Sequence, residues 1–261
     1  MSTVRPPAVA GTFYPSHPKQ LRLMIQDFLA TATQRGAKPK AVIAPHAGYV
    51  YSGAIAASVY RLVATCRPFV RRVVLLGPAH RVAFEGLAVS MDDAFATPLG
   101  TVPLDIESRD EILSLPYVFG FDAAHAQEHC LEVQLPFLLE VLDDFTVLPI
   151  VVGKASPEQI LEVLNRLWGG PETLIVISSD LSHYHEYSVA KQMDWATSQA
   201  IADLNPEAID FEDACGRLPI AGLLMAAKVH GLKAEILDVR NSGDTAGGKD
   251  RVVGYGAYAF H

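Results

Sequence analysis

His46 and His80 are the two side chains in this sequence best placed to do chemistry. Each follows a short apolar run, Ala41-Val42-Ile43-Ala44 or Val73-Val74-Leu75-Leu76, and each is flanked by small residues or proline. An apolar run stopped by Pro or Gly reads as a strand ending in a tight turn. Both imidazoles then sit at strand carboxyl ends, on the rim where open α/β sheets bind ligands. Neutral imidazole is the commonest metal ligand, and two on adjacent strand ends can share one ion. A hydrogen-bonded structural histidine is the competing reading for either residue alone; the pair together favours a ligand site. Cys215, ahead of Gly216-Arg217-Leu218-Pro219, is the candidate third donor, a thiolate suited to iron, copper or zinc. Its alternative is a small buried hydrophobe.

A third apolar run, Leu174-Ile175-Val176-Ile177, leads into Ser178-Ser179-Asp180-Leu181-Ser182-His183 and delivers a further histidine to the same rim. Asp180 and His183 can serve as ligand, general base or an orienting pair, against a capped turn with a solvent-facing ring. His129 and Glu132 are three apart, so a helix would put them on one face, from which both could reach the rim. A solvated polar helix start is the plainer alternative for either. His125 and His185 receive no role.

Positioning these residues requires a sheet with helices packed on it. Residues 5 to 15 are punctuated by Pro and Gly and should lie as an extended arm. Ser16 is the expected cap of a helix with apolar positions Leu21, Met24, Ile25, Phe28 and Leu29, closing at Gly36. Ala54 to Val63 is a second helix. Gly86 to Ser90 carries a strand, and Phe95 to Leu104 reads as a hairpin turning at Leu99-Gly100 that decorates the sheet. Val133 to Leu142 is helical, with Pro136 in its first turns, and Phe145 to Val152 is a strand. Ser156-Pro157-Glu158-Gln159 is a capping box for a helix ending at Gly169-Gly170. Ser188 to Leu204, Asn205 to Cys215 and Pro219 to His230 are the next helices; Ala234 to Arg240 and Val252 to Phe260 are the last strands. One three-layer α/β domain accounts for this order.

The bulk numbers narrow the function classes. The chain has 261 residues, half of them hydrophobic, enough to bury a sizeable core. A net charge of −8 argues against nucleic acid or an anionic membrane as partner. The N-terminal stretch from Met1 to Pro7 has no apolar signal core, and no apolar run is long enough to span a bilayer, so a soluble cytoplasmic protein is expected. Three widely spaced cysteines fit a reducing compartment and exclude a Cys-rich zinc finger. The Gly-rich loop at residues 243 to 248 lacks the phosphate-binding pattern. Neither a Gly-x-Ser-x-Gly elbow nor a dinucleotide fingerprint is present, which removes the usual support for hydrolase and nicotinamide readings.

Six motifs then stand in order: Ala8-Val9-Ala10-Gly11-Thr12-Phe13-Tyr14-Pro15, Ala44-Pro45-His46-Ala47-Gly48-Tyr49, Leu76-Gly77-Pro78-Ala79-His80, Glu128-His129-Cys130-Leu131-Glu132-Val133-Gln134-Leu135-Pro136-Phe137, Ser178-Ser179-Asp180-Leu181-Ser182-His183-Tyr184 and Asp213-Ala214-Cys215-Gly216. Together they resemble the Memo family, called protein B of the AmmeMemoRadiSam system. The resemblance implies one Memo-like domain over residues 1–261, with residues 1–15 as an arm packed on it. The implied fold is a three-layer α/β sandwich with a mostly parallel central sheet, similar to the LigB-type class III extradiol dioxygenases.

In those dioxygenases two histidines and a carboxylate hold a nonhaem iron. The matching positions here are His46, His80 and Cys215, so a thiolate stands in the carboxylate's place and makes copper a competitor to Fe(II). The implied function is a metal-dependent redox protein, with His183, oriented by Asp180, moving protons and His129 lining the pocket. The alternative is a catalytically inactive module recognising a peptide or an AmmeMemoRadiSam partner protein, suggested by the aromatic residues Phe13, Tyr14 and Tyr49. A third option is a thiol enzyme with Cys215 as nucleophile. A small aromatic or peptide ligand is the expected occupant, with neither nucleic acid nor membrane as partner.

Overall fold

The structure, a computed structural model, describes residues 3–33 and 36–261. Met1 and Ser2 of the N-terminal stretch considered above lie outside them. The chain begins with β1 (Val4–Arg5), α1 (Pro18–Thr31), β2 (Ala41–Ala44), α2 (Tyr49–Val63), β3 (Arg72–Pro78), β4 (Leu87–Val89), β5 (Ala94–Thr97) and β6 (Gly100–Pro103). There follow α3 (Ile106–Ile112), β7 (Val118–Gly120), α4 (Asp122–Ala126), α5 (Leu135–Val141), β8 (Thr146–Val152), α6 (Pro157–Leu167) and β9 (Thr173–Ser178). The last part holds β10 (His183–His185), α7 (Tyr187–Ala202), α8 (Arg217–Val229), β11 (Ala234–Asn241) and β12 (Val252–Phe260).

The apolar runs become strands because both of their faces are covered. Val42, Val73, Val147 and Leu174 point to one side, into a core shared with α1, α2 and α5. Their neighbours Ile43, Val74, Leu148 and Ile175 point to the other, into a core with α6 and α8. Burying each such side chain contributes about 1.5–3 kcal/mol, so a strand apolar on both sides is stable only between two helical layers. This is a three-layer α/β sandwich. Its main sheet runs β10-β12-β2-β9-β3-β8-β4-β7, with β11 also paired to β12. The central strands β2, β9, β3 and β8 are parallel. Antiparallel pairs flank them at β12 on β2 and at β4 on β8. Gly222 lets α8 approach α6 closely, since a Cβ there would fall 2.3 Å from Ile160 Cγ2.

Three local expectations change. The first helix starts at Pro18 with His17 at its N-cap, and no side-chain hydrogen bond caps it, so Ser16 is not the cap. Pro at the first helical position presets φ and lacks the amide that a cap would satisfy. The Phe95–Leu104 hairpin is real, but β5 and β6 form a separate three-stranded sheet with β1, touching the main sheet at the Leu104–Val147 bridge. Between Asn205 and Cys215 there is only a 3-10 turn, Pro206–Ala208, not a helix. Phe211 is 79% exposed and its neighbours are acidic, so this segment has no apolar face to bury. Among the described residues no helix is long and apolar enough to cross a membrane.

Candidate metal centre

The order β2-β9-β3 puts three parallel strand ends side by side, and the chain leaves them through His46, Asp180 and His80 respectively. Cys215 arrives from the opposite direction, one residue before Gly216, the N-cap of α8. The potential ligand atoms of His46, His80 and Cys215 all lie within 4.8 Å of one another. Cys215 Sγ is 3.4 Å from His46 Nε2. Gly216 is required beside it, because a Cβ would fall 2.6 Å from Ser179 Cβ and push the turn carrying Cys215 outward. His129 completes the group, its ring centroid 5.4 Å from His46 and 4.8 Å from His80. His183 comes from β10, not directly from the end of β9, and faces the same pocket.

The hydrogen-bond network assigns the tautomers of the two leading histidines. Ser178 Oγ has one proton and donates it to the Cys130 carbonyl at 2.6 Å. The amide of Gln134 donates to Ser178 Oγ at 2.8 Å, its orientation fixed because its Oε1 accepts from Tyr60. Towards His46 Nδ1, 3.0 Å away, Ser178 can therefore only accept. His46 carries its proton on Nδ1, and the lone pair of Nε2 is turned to the Cys215 thiol. His80 is treated the same way by a carboxylate: its Nδ1 lies 2.9 Å from Glu128 Oε1. Glu128 also accepts the backbone N–H groups of His80, His129 and Cys130. Burial alone would raise its pKa, but the bonds from His80 outweigh burial and bring it down to about 2. An ionised carboxylate only accepts, so His80 too holds a proton on Nδ1, and Nε2 is left as its potential ligand atom.

Charge is excluded from the rings of His46 and His129. Burial, reinforced by neighbouring His80, pushes His46 well below the ordinary histidine range. Burial and His46 bring His129 down to about 4. Both are neutral at pH 7, the form that ligates. Burial and the nearby Asp180 push the Cys215 thiol up to about 12, so it keeps its proton until a cation replaces it. The donor set fits a metal. Two imidazole nitrogens and a sulfur at usual bond lengths around one ion give an N···S separation of about 3.6 Å, close to the 3.4 Å present.

Asp180 is buried, and its Oδ1 accepts the backbone N–H of His46 at 2.7 Å. Its Oδ2 stands 4.0 Å from His46 Nε2, and burial raises its pKa. No hydrogen bond joins Asp180 to His183 among the described residues. Above the ligand-type atoms opens a pocket of about 600 Å³, lined also by Phe13, Tyr51, Tyr184, Tyr255 and Arg251. A larger hollow of about 890 Å³ beside Trp195 and β11 contains no comparable convergence of histidine and thiol.

With this geometry in place, the chain can be compared with known proteins. The sequence pattern of the family described as Memo-like protein matches residues 5–259. The chain belongs to the Memo family. A MEMO1 family protein of Aquifex aeolicus (strain VF5) is 39% identical over 263 residues, covering 97% of each chain. Its counterpart from Ignicoccus hospitalis is 35% identical over 98% of each chain, and one from Nitrosopumilus maritimus 34% over 98% of this chain and 99% of its own.

Two acidic residues of the Memo motif Glu128-His129-Cys130-Leu131-Glu132 behave differently from expectation. Glu132 does not reach the rim. It lies in a 3-10 turn, Glu132–Gln134, and its carboxylate turns to the N-terminal arm. It accepts from Arg5 Nη1 at 2.9 Å, the amides of Ala8 and Val9, and the Tyr14 hydroxyl at 2.6 Å. That clasp holds the arm down and places Phe13 against His129, ring centroids 4.8 Å apart. Glu128, without a role in the sequence reading, is the residue that orients His80. Its one signal was adjacency to His129, since its main partner lies 48 residues away. Ser178 and Gln134 were equally silent, their functions set by contacts across the sheet. His125, without a role in sequence, is buried with Nε2 3.0 Å from the Ala88 carbonyl.

Proposed function

We propose that this Memo-family chain is a nonhaem metal protein that holds iron or copper through His46, His80 and Cys215 and carries out redox chemistry on a small organic molecule. The observation that carries this reading is the convergence of the Nε2 atoms of His46 and His80, each ring held from behind at Nδ1, with the Cys215 thiol at the floor of a pocket. Among the described residues nothing but the Cys215 thiol, 3.4 Å from His46 Nε2, stands at hydrogen-bond distance from either Nε2.

A bound iron or copper ion would supply one-electron chemistry at the pocket floor. The residues of the chain do the rest. Ser178 and Glu128 fix the rings of His46 and His80, and Asp180 fixes the backbone turn that presents His46. The Cys215 proton, which faces the Asp180 carbonyl with sulfur and oxygen 3.6 Å apart, is released when the sulfur becomes a ligand. His129, neutral and beside His80, accepts a proton from the substrate, and His183 on the pocket wall exchanges it with solvent. Phe13 closes one side against water.

The test is metal analysis of protein purified without oxygen. The parent is expected to hold close to one equivalent, with His80→Ala and Cys215→Ala each losing most of it. Absence of metal from the parent, or its survival in both variants, overturns the proposal. A second reading, a binding module without chemistry, has one observation in its favour: Tyr51 and Tyr184 are 40% and 63% exposed at the pocket mouth. Metal-dependent turnover of any substrate would exclude it.

A further inference from the structure

The pocket above the candidate centre contains one feature that the metal reading does not use. Arg251 is the only lysine or arginine among its lining residues. It makes no hydrogen bond or ion pair with any described residue, although the chain is acidic overall and carboxylates are plentiful. Its guanidinium lies over the ring of Tyr184, 5.4 Å from the centroid. Tyr184 has φ of +63°, a left-handed conformation that a bulky residue rarely adopts. β10 around it pairs with β12 at Val252 and Val253, which fixes Tyr184 and Arg251 on neighbouring strand ends. The rings of Phe13, Tyr51 and Tyr255 line the pocket with them, and Asp180 lies among its lining residues.

A cation backed by an aromatic face, in a pocket lined otherwise by imidazole, phenyl and phenol rings, small residues and the buried Asp180, whose Oδ1 already holds the His46 amide, selects a molecule that carries negative charge. A planar guanidinium matches a planar carboxylate through two parallel hydrogen bonds. One carboxylate cancels one arginine, whereas a phosphate monoester dianion would leave a net negative charge among the rings. The ring walls favour a flat apolar body over a hydroxylated one. We propose that Arg251 anchors the substrate, and that the substrate is a small aromatic carboxylate whose acid group lies at the rim beside Tyr184 while its ring extends towards the histidines. This rests on the pocket being the substrate site of the proposed function, but not on which metal, or whether any, lies beneath it.

Calorimetric titration of the whole protein with benzoate, benzamide and phenyl phosphate tests the assignment, with bound metal measured in the same samples. Benzoate is expected to bind at least tenfold more tightly than neutral benzamide, and more tightly than phenyl phosphate. Arg251→Gln should erase the benzoate preference, and Arg251→Lys should retain only part of it, both without change in metal content. The inference is overturned by equal binding of benzoate and benzamide, by no benzoate binding at millimolar concentration, or by a preference that survives in Arg251→Gln. Tighter, Arg251-dependent binding of phenyl phosphate overturns the carboxylate assignment. A metal-free parent that keeps the Arg251-dependent preference sinks the metal reading and leaves this one standing; a metalloprotein without the preference does the reverse.

Discussion

Glu128 and Glu132 stand four residues apart in one buried segment and are used in opposite ways. Around Glu132 every polar group finds a partner inside the cluster. Its two oxygens take four donors, and Arg5 spends its remaining nitrogens on the carbonyls of His125 and Glu128. Around Glu128 the accounting stops half-way. It satisfies Nδ1 of His80 just as Ser178 satisfies Nδ1 of His46, and the second nitrogen of each ring is left facing Cys215 and the pocket. The first arrangement is closed and holds the N-terminal arm. The second is open, and openness is what distinguishes a site from a staple when both are buried and polar.

Breaking the closed cluster should have the largest effect on stability. Glu132→Ala strands the Arg5 guanidinium, the Tyr14 hydroxyl and two amides in the interior. It is expected to cost about 3–5 kcal/mol in denaturant unfolding, with side chains of the pair only 3% and 0% exposed. A loss below about 1 kcal/mol, the range of an exposed pair, would mean that the clasp is not what holds the arm.

Next in size is a pH effect from His125, whose backbone carbonyl belongs to the clasp. Burial, opposed by its bond to Ala88, brings its pKa down to about 4 from 6.5. The unfolded chain therefore binds the proton first. Stability is full above pH 6.5 and is lost as pH falls towards 4, by up to about 3 kcal/mol from this residue. His46 and His129 act in the same direction. Unfolding free energies measured from pH 7 to 4 should fall in the parent and fall less in His125→Gln; a flat profile in the parent contradicts the burial of these rings.

The open cluster should respond differently. Glu128→Gln removes the charge that fixes the His80 tautomer, and metal affinity is expected to drop about 10–100-fold, measured by competition with a chelator. Unchanged affinity would show that Glu128 only fills space. His80→Ala, by contrast, removes a ring 27% exposed whose loss leaves Glu128 its backbone donors. Its unfolding free energy should stay within about 1 kcal/mol of the parent, the smallest of these effects.

Much of this was legible in the sequence, and the rest was hidden for a physical reason. Apolar runs ending in Pro45, Pro78 and Ser178 announced strands, because a strand buried on both faces has no polar positions to blur the pattern. The Ser156 capping box was equally plain, being a purely local interaction. His46 and His80 could be named as candidates from their neighbours in the chain, and Cys215 was set with them by the family resemblance. The residues that decide their chemistry could not: Ser178 is 132 positions from His46, and Glu128 is 48 from His80. The i, i+3 spacing of His129 and Glu132 misled for the same reason, since the partners of Glu132 are Arg5, Ala8, Val9 and Tyr14, more than a hundred residues away.

The open cluster is tested most directly by X-ray absorption on the anaerobically purified protein at the iron and copper edges, where absence of both metals would also contradict the proposal. Two nitrogen donors at about 2.0–2.1 Å and one sulfur at about 2.3 Å are expected, with the sulfur shell absent in Cys215→Ser. A spectrum of nitrogen and oxygen donors alone, or a sulfur shell that persists in Cys215→Ser, would contradict the assignment of these three residues to one ion.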